Sequence, residues 1–72
     1  MAAPANPHQA AARIRKAAAI AALLVQYGIT ARDVSSLAPH QWELLAKAAQ
    51  VNPPSAVTQA LVVSILLAIG ER

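Results

Sequence analysis

Cysteine and phenylalanine are absent from this 72-residue chain, and tryptophan, tyrosine and methionine occur once each. Without cysteine there are no disulfide staples and no thiolate metal site, which is compatible with a reducing compartment. A cytoplasmic location is the expectation. Without phenylalanine, the core must be built from aliphatic side chains. Of the 41 hydrophobic residues, 19 are alanine and 19 are valine, isoleucine or leucine. Alanine buries little area, so the core is thinner than the 57% hydrophobic content suggests.

A chain this short is near the size at which one core is only just sufficient. Setting about 25 cal/mol per Å² of apolar burial against roughly 1.5 kcal/mol of ordering entropy per residue brings small chains out near zero. Alanine helps through its helix propensity, the best of any residue. A protein partner or a second copy of the chain is the expected source of further burial, so a homo-oligomer is anticipated.

Acidic residues are also scarce: Asp33, Glu43 and Glu71 are all there are. His8 and His40 both fall in first turns of predicted helices. There is no glycine-rich phosphate loop, no His-x₃-His pair and no nucleophile beside a base. Ser35, Ser36, Ser55 and Ser64 read as cap, turn and helix residues. No catalytic, cofactor-binding or metal-binding residue is assigned, and an enzyme is not expected. The net charge of +3 is mild, with the basic residues spread along the chain, and it argues against an acidic mimic of DNA.

Only two glycines and five prolines punctuate the chain, and they mark out helices. Residues 1–5 read as a flexible tail and residues 6–72 as one helical domain. Asn6-Pro7-His8-Gln9 is a helix start, with Asn6 as cap, Pro7 at the first position and Gln9 as box partner. The helix should run to about Tyr27, with Gly28 supplying the left-handed stop. Its expected inner face is Ile14, Ala17, Ala18, Ala21, Leu24 and Val25, widened by Ile20, Leu23 and Tyr27.

Thr30-Ala31-Arg32-Asp33 repeats the capping logic and opens a helix of about two turns ending near Leu37. Val34 and Leu37 are its inward pair. Pro39 begins a third helix, in which Trp42, Leu45 and Ala49, with Leu44 and Ala48 beside them, should face the core. Its weak point is Ala38, a cap residue without a side-chain acceptor. Val51-Asn52-Pro53-Pro54-Ser55 is a break in which Asn52 precedes proline and is a candidate cap for the last helix. The fold class is therefore all-α: a compact three- to four-helix bundle, long, short, medium and medium, with a hydrophobic C-terminal helix.

That last helix, Ala56 to Gly70, is apolar on every side, with Ser64 the only polar residue between Ala60 and Ile69. Such a helix must be surrounded by its own chain, a partner or lipid. At about 1.5 Å per residue it falls short of the roughly 30 Å hydrocarbon core of a bilayer. A membrane-associated helical hairpin thus ranks third among the functional expectations. Val57, Leu61 and Ile65 are expected to face the intrachain core. Val62, Leu66 and Ile69 are expected to form a partner interface. The first expectation is a small non-catalytic protein–protein interaction module, a regulator, adaptor or inhibitor working through this helix.

The segment from Leu45 to Leu61 resembles the helix-turn-helix of bacterial repressors. Ala46 stands at the small position and Val51 fits, Gln50 stands where glycine belongs, and the spacing to Val57 is one residue too long. The resemblance implies a small dimeric DNA-binding regulator, the second expectation, with Ser55, Thr58 and Gln59 at the start of the recognition helix. The cluster Arg13, Arg15 and Lys16 is the other candidate contact to nucleic acid or an acidic partner, although these residues spread around the helix instead of forming a stripe. Tyr27-Gly28-Ile29-Thr30 followed by Asp33-Val34 is similar to the stretch after the oligomerisation coil of H-NS-like nucleoid proteins. Nothing in the chain resembles their C-terminal DNA-binding loop.

Overall fold

The computed structural model of the protein describes residues 7–70. Within them the chain forms α1 (Pro7–Gln26), α2 (Ala31–Val34), α3 (Pro39–Ala48) and α4 (Ala56–Gly70), with no strand among the described residues. The bundle is all-α, in the expected order. The cap assigned to Asn6 and the tail at 1–5 lie outside the described residues, and so does the side chain of Gln9 assigned as box partner.

The helix α1 continues through its alanine-rich middle because every residue there is a good helix former. It ends where Gly28 turns left-handed at φ +74°. The Gly28 N–H donates to the Val25 carbonyl at 3.0 Å and the Ile29 N–H to the Leu24 carbonyl at 2.9 Å. That pair of bonds is a Schellman turn, which satisfies carbonyls the helix would otherwise leave open. The buried stripe of α1 is Ala17, Ile20, Ala21 and Leu24. It is narrower than the sequence suggests: Ile14, Val25 and Tyr27 are exposed. Ala17 and Ala21, fully buried, present only methyl groups at the helix surface and allow a neighbouring backbone to approach closely.

That neighbour is α4, which packs most extensively on α1 and also contacts α2. Val25 and Gly28 share a surface with Leu66, Leu67, Ile69 and Gly70, so the C-terminal ends of α1 and α4 lie side by side. The buried stripe of α4 is Thr58, Val62 and Leu66, one residue per turn. This corrects the sequence expectation. Val62 and Leu66, assigned to a partner interface, are sealed inside the chain's own core, while Val57 is 56% exposed and Leu61 and Ile65 are half-buried. The cause is that α4 carries no hydropathy gradient around its axis, so nothing apolar distinguishes one face from another.

Two polar residues set its rotation instead. Thr58 is only 3% exposed, its hydroxyl 3.2 Å from that of Ser55. Ser64 sits on the solvent side with Ala60 and Ala68. Ala60, Ser64 and Ala68 need no cover on that side, whereas Val57 and Leu67 beside them stay exposed.

The Thr30–Asp33 box forms as expected. The Thr30 Oγ1 accepts from the Asp33 N–H at 3.3 Å, and the Asp33 carboxylate accepts from the Thr30 N–H at 3.4 Å. The helix α2 is shorter than expected, a single turn with Val34 buried. In α3, Trp42 and Ala46 are buried, with Leu45 and Ala49 half-buried beside them. Leu44, expected inward, is 63% exposed, and Ala48 is exposed too. Of the other helices, only α1 brings its backbone within 8 Å of α3, Cα to Cα.

Candidate functional site

At the end where α1 and α4 finish together, a groove of about 500 Å³ opens to solvent. Val25 from α1, Ile29 and Arg32 from the α2 region, and Leu66, Leu67 and Ile69 from α4 line it. Helix ends position these side chains. The Gly28 turn swings the chain from α1 into Ile29 and the Thr30 cap, which aims α2 at α4. The last turn of α4 then projects beyond the core. Ile69 lies on nearly the same line of α4 as Val62, yet it is 45% exposed because the bundle beneath it has run out. Of the three residues assigned to a partner interface, Ile69 alone stays accessible. Among the described residues, Arg32 is the only charged side chain of this groove.

A second concavity, about 600 Å³ and open, lies between the middle of α1 and the turn after α3. Arg15, Lys16, Lys47, Gln50 and Asn52 line it, with Ala12 and Val51 as its apolar floor. Arg15 and Lys16 were candidate contacts from sequence, and the fold adds Lys47 to them. Arg13 does not join them, consistent with its different bearing around α1. With α1 starting at Pro7, Arg15 and Lys16 fall in its third turn, beyond the reach of the N-terminal dipole.

Ser55, Thr58 and Gln59 are brought together, but with one another. Ser55 caps α4 in place of Asn52: its Oγ accepts from the Thr58 N–H at 3.4 Å, and its carbonyl accepts from the Gln59 N–H at 2.9 Å. The Gln59 Nε2 donates to the Pro54 carbonyl at 3.3 Å. Their polar groups serve the start of the helix and leave little to present to base edges. The helix-turn-helix itself is not formed. Such motifs join their helices by a turn of about 3–4 residues, whereas residues 49–55 separate α3 from α4, and no Cα of α3 comes within 8 Å of one in α4.

Among the described residues no group of three histidine, aspartate or glutamate side chains gathers, and no helix is long and apolar enough to cross a membrane. The groove residues Val25, Ile29, Leu67 and Arg32 were not legible as a site, because they meet only when three elements end at one place. Comparison of the chain with protein-family models, with characterised proteins and with solved structures finds no match.

Proposed function

We propose that this protein is a small non-catalytic helical interaction module whose groove receives the apolar face of a helix from another protein. The observation that carries this reading is the groove itself, in which Val25, Leu67 and Ile69 are exposed around Arg32, the one charge among its described residues. Amphipathic helices bind such surfaces with apolar anchors spaced about three to four residues apart. The Arg32 guanidinium suits a carboxylate on that helix, since charge-assisted bidentate pairs fix orientation as well as adding energy.

A second copy of this chain fits less well. In a twofold dimer the same patch meets itself. The groove is a concavity, and a concave patch set against its own copy leaves both hollows unfilled, whereas a helix from another chain fills one. The protein is therefore read as a regulator or adaptor of a different chain.

The test compares the full chain with its Ile69→Asp and Arg32→Glu variants. Co-purification from the host should yield a protein retained by the native chain and lost by both variants, and a helical peptide from that protein should bind the purified chain in the same pattern. Retention by Ile69→Asp would sink the proposal. A dimer of the purified chain that Ile69→Asp dissociates would assign the groove to self-association instead.

A further inference from the structure

The open cleft between α1 and the turn after α3 is independent of the groove and has a different chemistry. Its cations come from positions 15, 16 and 47, which only the folded chain brings together, and among the described residues no carboxylate lines it. Like charges gathered around one concavity raise the local positive potential, which favours the entry of an anion. We propose that this cleft binds a phosphate group, with Arg15, Lys16 and Lys47 as its charge contacts and the amides of Gln50 and Asn52 as hydrogen-bond donors.

The donor set is what selects phosphate. One carboxylate offers a single negative charge, too little for three cations and two amides. A phosphate ester or polyphosphate carries close to two charges or more and presents several strong acceptor oxygens. Arg15 can present a planar fork of N–H donors, and the lysines act as point charges that adapt to the remaining oxygens. The cleft volume of about 600 Å³ lies within the range of small-ligand sites.

The C-terminal end of α3 would ordinarily repel an anion. Here the Leu45, Ala46 and Lys47 carbonyls accept from the Ala49, Val51 and Gln50 N–H groups at 2.9–3.1 Å, so the end of the helix is closed off by its own turn. That turn requires Gln50 at φ +60°, a conformation few residues with a side chain adopt. A glycine there would close the helix with less strain but would bring no amide to the cleft.

The experiment uses the full chain and two probes at matched ionic strength, inorganic tripolyphosphate and a short DNA duplex. Tripolyphosphate should give a saturable rise in Tm of about 5 °C or more at concentrations well above Kd. Arg15→Gln, Lys16→Gln and Lys47→Gln should each weaken binding about tenfold. Arg32→Gln removes the same charge outside the cleft and should leave binding unchanged. If the phosphate belongs to a nucleic-acid backbone, the duplex also binds, and each cleft variant lowers the slope of log K against log salt by about one. Tripolyphosphate binding without duplex binding assigns the site to a free phosphate compound. The proposal is overturned if neither probe binds, if Arg32→Gln weakens binding as much as Lys47→Gln, or if a hexaglutamate peptide binds as tightly as tripolyphosphate. Circular dichroism of each variant confirms the fold, since all four substituted side chains are at the surface or half-buried.

Discussion

Gly28 and Gln50 hold the same place at the ends of two different helices. Each is the left-handed residue of a Schellman turn, at φ +74° and +60°. Each donates its N–H to the carbonyl three residues back, at 3.0 and 3.1 Å, and is followed by a residue whose N–H reaches five residues back, at 2.9 Å in both turns. One position is filled by the residue that suits it, and the other by a glutamine facing a basic cleft.

The first prediction concerns this pair. Left-handed backbone costs an L-residue about 1–2 kcal/mol relative to glycine, while glycine gives the unfolded chain about 0.4–1 kcal/mol of extra entropy. Gln50→Gly should therefore stabilise the chain by about 0.5–1 kcal/mol. Gly28→Ala should destabilise it by about 1 kcal/mol, through backbone strain, since a Cβ there meets no atom within 4 Å. Urea unfolding of the two variants checks both signs at once. The Gln50→Gly variant should also bind tripolyphosphate more weakly than the native chain, so that stability and affinity move in opposite directions.

Ser55 and Thr58 make a second pair. Removing the Ser55 hydroxyl takes away the cap of α4 and leaves the buried Thr58 hydroxyl without its partner at 3.2 Å. Ser55→Ala should cost about 1–2 kcal/mol. Ser55→Ala combined with Thr58→Val removes both hydroxyls, so the double variant should be less destabilised than the two single costs added together. A double-mutant cycle by thermal melting measures the difference. Simple additivity would mean that the two hydroxyls do not interact.

Much of the bundle was legible because its signals are local. The stop at Gly28, the Thr30–Asp33 box and the start at Pro39 each depend on residues within one helical turn. The rotation of α4 was not legible, since Val57, Leu61 and Ile65 differ little in hydropathy from Val62, Leu66 and Ile69. Besides Ser64, only Thr58 distinguished the faces, and a threonine near a helix start reads as a surface residue until the hydroxyl that satisfies it is known. The candidate surfaces were legible in fragments. Arg15, Lys16 and Ile69 stood out in sequence, whereas Lys47, Val25 and Arg32 joined them through packing between elements far apart in the chain.

Ala38 offers a gain. Its N–H donates to the Gln41 Oε1 at 2.8 Å, so half of a capping box is already in place. The backbone at Ala38 has the extended geometry of a cap, φ −76° and ψ 156°. Ala38→Ser would supply the missing side-chain acceptor. The Gln41 N–H already bonds to the Ala38 carbonyl at 2.9 Å, which limits the gain to about 0.5 kcal/mol, the low end for a cap. A melt showing no gain would mean that the existing bond leaves the hydroxyl nothing to accept.

Val62 and Ile69 provide the sharpest test of where the core ends and the groove begins. They lie on nearly the same line of α4, about two turns apart. Val62 is fully buried, while Ile69 is 45% exposed. A carboxylate at position 62 would have to be desolvated among Ile20, Leu24 and Leu66 with no partner for its charge, and a bundle this small has too little stability to absorb that. Val62→Asp should therefore unfold the chain, and Val62→Ala should lower its stability by about 2 kcal/mol. Ile69→Asp places its charge in water at the rim of the groove, beside Arg32, and should leave the far-ultraviolet circular dichroism and the melting temperature nearly unchanged. If Val62→Asp remained fully helical and melted cooperatively, α4 would not be seated on α1 along this stripe. If Ile69→Asp unfolded the chain, the core would extend to the last turn of α4, and the groove would be part of the interior.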